Sequence, residues 1–309
     1  MQTKVKSPKV LIPTKPCAIR LLPKEQWANA ATKAAKIFPG NAPALQQLKM
    51  MHPDVVMPPE HIVALTTKYW SAGKVSLTVG FLDNPPADLR KRILSHMNAW
   101  ADYGDISFVE TSTDPQVRIA RVNTGDMAGY WSYLGTDILS IDPSQPTLNL
   151  DSFTMNTQDS EFYRVVRHET GHTLGFPHEH MREEIVNRID PDKAKAYFLQ
   201  NDGWGPQEVV NQVLTPLDQS ALIIGSPPDP NSIMCYWLPA EIMKDSVAVA
   251  GGTDIDQSDG DFAARLYPKA TAPSSPASAP KKSVKKIAIK PSKRGPKKKL
   301  KKRSRALSR

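Results

Sequence analysis

The sequence predicts an α+β domain in which a sheet and two long helices precede a loop-rich C-terminal part. Three observations lead to this prediction. Segments of alternating apolar residues, typical of strands, flank a segment with helical spacing in the first half of the chain. Regular patterns become sparse after Gly175. Residues 269–309 are rich in Pro, Ala and Ser and then in Lys, which predicts a disordered tail because such a segment cannot bury a core.

Residues 1–66 form an N-terminal segment in this division. The segment opens with a stretch rich in Lys and Pro, and residues 24–38 follow as an Ala-rich helix that ends at Pro39 and Gly40. Two interpretations stay open for it: a pro-segment that regulates the protein, or a structural extension.

Residues 67–268 carry the predicted sheet and most of the helices. Alternating apolar residues predict a strand over 74–81, and β-prone residues predict shorter strands over 106–111, 116–122 and 147–150. Helical spacing predicts helices over 87–100, 194–200 and 257–267. Another helix is expected to begin near Ser160, a favourable N-cap, and to end at Gly175, which tolerates the left-handed conformation of a helix end.

The positive charge of the chain is confined to its tail. Fifteen of the 40 Lys and Arg residues lie in residues 270–309, which contain no acid, so residues 1–269 carry 25 basic residues against all 31 acidic ones. The body is therefore mildly acidic. The Lys-rich residues 281–309 predict a nonspecific contact with a polyanion such as nucleic acid or an anionic surface, and a merely solubilising tail is the alternative.

Targeting and redox signals are weak. The chain has only two cysteines, Cys17 and Cys235, which excludes a disulfide framework. The N-terminal residues contain no apolar run long enough for a signal peptide, and no stretch approaches the length of a membrane span. A protein without a transmembrane segment is expected, either cytoplasmic or exported by a non-classical route, and a monomer.

The segment 168–178, HETGHTLGFPH, carries the strongest functional signal. On a helix, His168 and His172 lie one turn apart on the same face, where both imidazoles can bind one Zn²⁺. Glu169 does not bind the metal in this interpretation and accepts a proton from a metal-bound water. Gly175 turns the chain back so that His178 becomes the third ligand. The pattern predicts one catalytic zinc ion.

The motif HExxHxxGxxH is typical of metzincins, and the longer segment HETGHTLGFPHEHMR resembles the astacin family of peptidases. The stretches 129–135 and DFAARLY are also similar to that family, so the resemblance covers residues 67–268. It implies a metzincin catalytic domain, with a twisted and mostly parallel sheet, and a metalloendopeptidase (EC 3.4.24.-) acting on proteins or peptides. Because the chain lacks paired cysteines, it resembles a disulfide-free variant of bacterial type. Residues 183–186, EEIV, and Cys235 depart from the usual family pattern.

The resemblance also assigns roles around the motif. In SIMCY, residues 232–236, Met234 corresponds to the Met-turn under the zinc site. Tyr236 corresponds to a tyrosine that reaches the zinc and stabilises the transition state, and a core tyrosine is the alternative. Glu179 corresponds to an anchor for the mature N-terminus or is a solvated glutamate. Arg182 is expected to be structural, and His180 to be a surface histidine or a support for the ligands.

The family resemblance raises two further expectations. Pro-segments of astacins direct an aspartate to the zinc, where this chain has Asn41, and matrixins use a cysteine, for which Cys17 is the counterpart. Either residue could confer latency on the enzyme. An edge strand above the cleft would pair with the extended substrate, and residues 147–150, TLNL, are the candidate.

Three classes of function therefore remain. The first is a zinc endopeptidase. The second is a non-catalytic domain that binds zinc or peptides, and the third is a nucleic-acid-associated protein that acts through its basic tail.

Overall fold

A single mixed sheet organises the part of the chain that the computed structural model describes, which comprises residues 16–42, 67–216 and 227–270. Its strand order is β1-β5-β6-β4-β2-β3. The β5–β6 pair is antiparallel, and the other four neighbouring pairs are parallel. This confirms the predicted α+β class with a mostly parallel sheet. The strands are β1 (Cys17–Arg20), β2 (Val75–Phe81), β3 (Ile106–Glu110), β4 (Val117–Ala120), β5 (Tyr130–Tyr133) and β6 (Leu148–Leu150).

Helices connect and cover the strands. In chain order they are α1 (Trp27–Ile37), α2 (Ala87–Met97), α3 (Asp159–Glu161, continued by a π-helical Phe162–Val166 and by Arg167–Thr173), α4 (Glu183–Val186), α5 (Pro191–Asp202), α6 (Pro206–Val209, continued by a π-helical Val210–Leu214) and α7 (Gln257–Leu266). Short 3₁₀ turns cover Lys24–Gln26, Pro39–Asn41, Asn98–Asp102, Gly125–Met127, Gly135–Ser140, Glu179–Met181 and Ala240–Ile242. In the described ranges, no helix is long and apolar enough to cross a membrane.

The core lies between the sheet and the two helices α2 and α3. Val75, Leu77 and Val79 alternate along β2 and are buried, as the period of two requires. Trp100, in the 3₁₀ turn that follows α2, is fully buried, and its indole N–H donates to Arg167 O of α3 at 3.0 Å. This contact fixes α3, which carries the HExxH motif, against α2.

The predicted helix ends differ in detail from the structure. Helix α3 begins at Asp159, its N-cap is Gln158, and no side chain caps it, so Ser160 is not the cap. Helix α5 begins earlier than predicted because Asp190 caps it by accepting from Asp192 N and Lys193 N, with Pro191 in the first turn.

The prediction that residues 147–150 form the free edge of the sheet is wrong. Strand β6 pairs with β4 on one side and with β5 on the other, so its main chain has no open side for a substrate. The strand beyond it, β5, pairs with β1, which the sequence patterns did not predict.

The described part of the N-terminal segment packs against the rest of the domain through α1 and Asn41. Ala30, Ala31 and Ala34 of α1 are buried. The Asn41 amide donates to Ala34 O and Tyr69 O, and its oxygen accepts from Tyr69 N. Contacts place the described residues from 16 to 270 in one compact unit. The predicted disordered tail and its polyanion-binding residues 281–309 lie outside the described residues and stay predictions.

Candidate metal centre

Three histidine side chains converge at the end of α3. His168 Nε2 lies 3.3 Å from His178 Nε2, and His172 Nε2 lies 3.0 Å from the same atom. All three residues are buried, with at most 4% of their surface exposed. Helix α3 supplies the first two at a spacing of four residues, and the turn after α3 brings back the third.

Hydrogen bonds to main-chain carbonyls fix the outer nitrogens of two of these rings. His168 Nδ1 donates to Ile233 O at 2.6 Å, and His172 Nδ1 donates to Phe176 O at 2.7 Å. Because the proton then sits on Nδ1, each neutral ring directs the lone pair of Nε2 toward the common centre. Burial lowers the pKa of His168 to about 4 and holds the pKa of His172 and His178 well below the usual range, which favours neutral rings.

This donor set fits a zinc ion. Nitrogens that bind one Zn²⁺ at about 2.0–2.1 Å in a tetrahedral arrangement lie about 3.3 Å apart, close to the two separations seen here. Facing lone pairs at such distances repel each other unless a cation lies between them. The three ring nitrogens are within 4.8 Å of one another, as a shared metal requires.

Glu169 lies beside this cluster. Its side chain is fully buried, and neither carboxylate oxygen has a hydrogen-bond partner among the described residues. Burial raises the pKa of Glu169 well above the usual range, and the adjacent Cys17 thiol and the positive charge of Arg164 oppose this rise. A buried carboxylate without partners next to a metal-binding cluster is suited to exchange a proton with a bound molecule.

The turn that returns the chain to the site depends on Gly175. Its φ of +97° is left-handed, and a Cβ there would lie 3.0 Å from Lys68 O. Gly175 N–H donates to His172 O, and Phe176 N–H donates to Gly171 O, which is the Schellman pattern of a helix end. Glycine at this position lets His178 approach the first two histidines.

Met234 lies directly beneath α3. A Cβ built on Gly171 would come within 2.5 Å of Met234 Sδ, so the absence of a side chain at Gly171 allows this close approach. The main-chain oxygen of Met234 accepts from Glu179 N at 2.8 Å. The turn that contains Met234 therefore contacts both α3 and the segment after His178.

Tyr236 and His180 pack together behind His178. The Tyr236 ring lies 4.5 Å from the His178 ring and 4.0 Å from the His180 ring, on which it stacks. The Tyr236 hydroxyl is buried and finds no partner among the described side chains and main chain. His180 donates from Nε2 to Gln212 O and accepts at Nδ1 from Tyr236 N. His180 thus supports its neighbours and is not part of the three-nitrogen cluster.

Glu179 and Arg182 form an ion pair on the far side of the turn. Arg182 Nε lies 2.8 Å from Glu179 Oε1, which also accepts from Asp229 N at 3.1 Å. Burial raises the pKa of Glu179, and Arg182 opposes this shift. By accepting this hydrogen bond, the Glu179 carboxylate holds the main chain at Asp229 next to the turn.

The two candidate latency residues have different surroundings. The Asn41 amide is used by main-chain groups of α1 and Tyr69 and by Thr67, so it has no free group for a metal. Cys17 is buried, and its Sγ lies within 4.8 Å of a His168 nitrogen and a Glu169 oxygen. Strand β1 thus carries Cys17 to the edge of the metal centre.

A cavity of about 250 Å³ opens beside the centre. Its walls include Cys17, Arg164, His168, Phe198 and Tyr236. Arg164 is held by Glu161 through Nε at 3.1 Å and Nη2 at 2.7 Å, and its Nη1 lies 3.8 Å from Cys17 Sγ. The cavity is large enough to accept a side chain of a bound peptide.

Sequence patterns did not single out Asp259, although it supports the site. Its carboxylate accepts from Ser232 Oγ at 2.6 Å and from Ile233 N at 2.8 Å, and Ile233 O accepts from His168. Asp259 also completes a capping box with Asp256 at the start of α7. The capping pattern DxxD was visible in the sequence, but its contact with the turn at 232–233 was not.

Comparison with known proteins is consistent with this site. A family model, that of the astacin peptidases, matches residues 63–236. The zinc metalloproteinase nas-27 of Caenorhabditis elegans is 33% identical over 124 residues, 40% of this chain, and the match spans only 26% of that relative. A solved structure of myroilysin is similar with a TM-score of 0.60 and 30% identity, over 65% of this chain and 96% of the myroilysin chain.

Proposed function

This chain belongs to the astacin family, whose model covers more than half of its length, and we propose that it is a zinc-dependent endopeptidase that hydrolyses protein or peptide substrates. The observation that carries the proposal is the convergence of His168, His172 and His178 beside a buried carboxylate without partners. These three histidines would hold the zinc.

The residues of this chain divide the chemistry among themselves. Zinc, when bound, supplies Lewis acidity that activates water and polarises a carbonyl. Glu169 accepts the proton of the attacking water and returns it to the leaving amine. Tyr236, whose buried hydroxyl has no partner among the described residues, donates a hydrogen bond to the developing oxyanion. Met234 supports α3 from below.

The test uses a chain in which a site-specific protease sequence is inserted between the exposed residues Pro23 and Lys24 and cut before the assay. Zinc content and chelator-sensitive cleavage of denatured casein are measured for the wild type, Glu169→Gln and the exposed control Glu183→Gln. Glu169→Gln is expected to retain zinc and to lose about 10²- to 10⁴-fold in kcat. Zinc binding without cleavage by the wild type would support the non-catalytic alternative.

We also propose that β1 keeps the centre closed in the intact chain, while α1 is structural. Support comes from Cys17 Sγ beside His168 and Glu169, and from the pairing of β1 with β5. Deleting all of residues 1–60 would remove buried alanines of α1 together with β1. A cut between Pro23 and Lys24 separates the two roles, and peptidase activity is expected to rise after cutting.

A spectroscopic experiment tests the role of Cys17 without relying on activity. In the intact chain loaded with Co²⁺, a thiolate ligand gives a charge-transfer absorption in the near ultraviolet. This absorption is expected to disappear in Cys17→Ser and to persist in Cys235→Ser, which changes the only other cysteine of the chain. Equal absorption in both variants would refute a contact between Cys17 and the metal.

A further inference from the structure

Gln212 makes an unusual pair of hydrogen bonds with the N-terminal strand. Its Nε2 donates to Ile19 O at 2.8 Å, and its Oε1 accepts from Ile19 N at 3.2 Å. Gln212 lies on the second half of α6 and is only 8% exposed. The side-chain amide therefore binds the main chain of one residue in the way that a neighbouring strand would.

The position of Ile19 shows that β1 lies between two walls. Strand β1 pairs in parallel with β5, with Ile19 opposite Ser132. In a parallel pair, the N–H and C=O of one residue point to the same side of the strand, and those of the next residue point to the opposite side. Since both groups of Ile19 bond Gln212, they point away from β5, and Gln212 forms the opposite wall of the groove that β1 fills.

The groups that hold Ile19 do not depend on its side chain. A carboxamide that both donates and accepts can pair with any extended residue except proline. Departure of β1 would open this groove and leave the donor and the acceptor of the Gln212 carboxamide to water. Another extended main chain in the same groove would satisfy both groups again.

Gln212 is also held rigidly relative to the metal centre. Its main-chain oxygen accepts from His180 Nε2 at 2.8 Å, and the other nitrogen of His180 accepts from Tyr236 N. Ile19 lies two residues beyond Cys17, which reaches the centre, and two extended residues span about 7 Å. The Gln212 carboxamide, called the clamp below, and the candidate metal centre thus contact residues of β1 that lie two positions apart.

We propose that Gln212 binds the main chain of the peptide substrate two residues from the residue at the metal, in the place that Ile19 occupies in the intact chain. This inference rests on the proposed endopeptidase function and on the exit of β1 from the groove. His180 is a positioning residue in it, because it acts through Gln212 and Tyr236. The selectivity that results concerns main-chain groups and excludes proline or N-methylated residues at that position.

The first experiment measures catalysis by the zinc-loaded chain cut between residues 23 and 24. Peptides based on one cleaved segment of reduced, carboxymethylated insulin B chain carry a single backbone N-methyl group at successive positions. In the wild type, N-methylation two residues from the scissile bond is expected to raise KM about 5- to 100-fold. In Gln212→Leu, KM for the unmodified peptide rises by a similar factor, and that N-methyl group has no further effect.

The second experiment measures binding alone, in the cut Glu169→Gln chain freed of its N-terminal fragment. Fluorescein-labelled peptides with the sequence of residues 13–23 and a scrambled version of it are compared by anisotropy. Gln212→Leu and Gln212→Glu are expected to weaken both peptides by a similar factor, whereas Gln207→Leu, an exposed glutamine of the same helix, leaves both unchanged. Thermal unfolding of each variant verifies folding.

The outcomes separate the two proposals. If the wild type cleaves nothing, the endopeptidase proposal fails, and the binding experiment still decides the role of Gln212. Unchanged KM and peptide affinity in a folded Gln212→Leu variant would overturn the clamp. A loss of affinity limited to the native sequence would overturn it as well, because main-chain recognition must extend to the scrambled peptide.

Discussion

Asp259 links α7 to His168, the first candidate zinc ligand, and replacing Asp259 with alanine tests whether this link matters. Three donors bond its carboxylate: Ser232 Oγ at 2.6 Å, Ile233 N at 2.8 Å and Asp256 N at 3.1 Å. Ile233 O in turn accepts from Nδ1 of His168. The carboxylate therefore holds the peptide unit that orients this ring.

The expected magnitude follows from these bonds. Ile233 is 1% exposed, so in Asp259→Ala its N–H loses its acceptor in a buried position. An unsatisfied buried donor costs about 1–3 kcal/mol, and loss of a capping interaction costs about 1 kcal/mol more. The free energy of unfolding should fall by about 2–4 kcal/mol. Zinc affinity should fall about 10-fold, because partners that orient metal ligands contribute at that scale.

The assay is performed at pH 8, because burial raises the pKa of Asp259 to about 7 despite its donors. Urea unfolding of the metal-free chain gives stability, and competition with a chromophoric chelator gives zinc affinity. Asp261→Ala, an exposed change on the same helix, is the matched control. If Asp259→Ala matches Asp261→Ala in both measurements, the proposed link between α7 and His168 does not exist.

Three other expectations follow from single contacts. Gly175→Ala should lower the free energy of unfolding by more than the roughly 1–2 kcal/mol of left-handed backbone strain, because the new Cβ meets Lys68 O. Gly203→Ala should lower it by the strain alone, because Gly203 is left-handed but has no atom within contact distance of a Cβ. Equal losses for the two variants in urea unfolding would exclude the crowding at Gly175. Gly171→Ala should weaken zinc binding in the chelator assay, because the new Cβ would displace Met234. Unchanged zinc affinity would argue against a supporting contact between Met234 and α3. Burial raises the pKa of Asp137 from 3.8 to about 6, so the native state favours the protonated acid, and the stability gained below about pH 4 is lost as the pH rises to 6. Relative to Asp137→Asn, the wild type should lose about 3 kcal/mol between about pH 3 and about pH 7 in urea unfolding, and parallel curves would contradict the shift.

Local periodicity predicted much of the fold, because the features that create a helix or a strand lie close together in sequence. The alternation in residues 74–81 predicted the bounds of β2 within one residue, and the spacing in 87–100 predicted the start of α2, which ends three residues earlier at Met97. The three candidate metal-binding histidines were equally visible, since two lie one helical turn apart and Gly175 marks the turn before the third. The roles of these side chains in catalysis stay predictions until the variants are measured.

Features that depend on strand order or distant partners were not visible in the sequence. The family resemblance suggested residues 147–150 as the edge strand, but an edge is defined by the absence of a neighbour, which no local pattern reports. Strand β1 has only four residues, and the bonds that hold Ile19 come from Gln212, 193 residues away. For the same reason Cys17 could be named as a metal-directed residue only by resemblance.

The three histidines are held by unequal means, which connects the centre to the groove. Main-chain carbonyls bond the outer nitrogens of His168 and His172, whereas Nδ1 of His178 has no such partner within the described ranges. The His178 ring is instead packed against Tyr236 at 4.5 Å and His180 at 4.7 Å. His180 in turn bonds the main chain of Gln212, whose side chain holds the strand in the groove. His178, the third candidate ligand, is therefore the one whose orientation is most directly coupled to what occupies the groove, because its ring packs on His180 and His180 bonds Gln212.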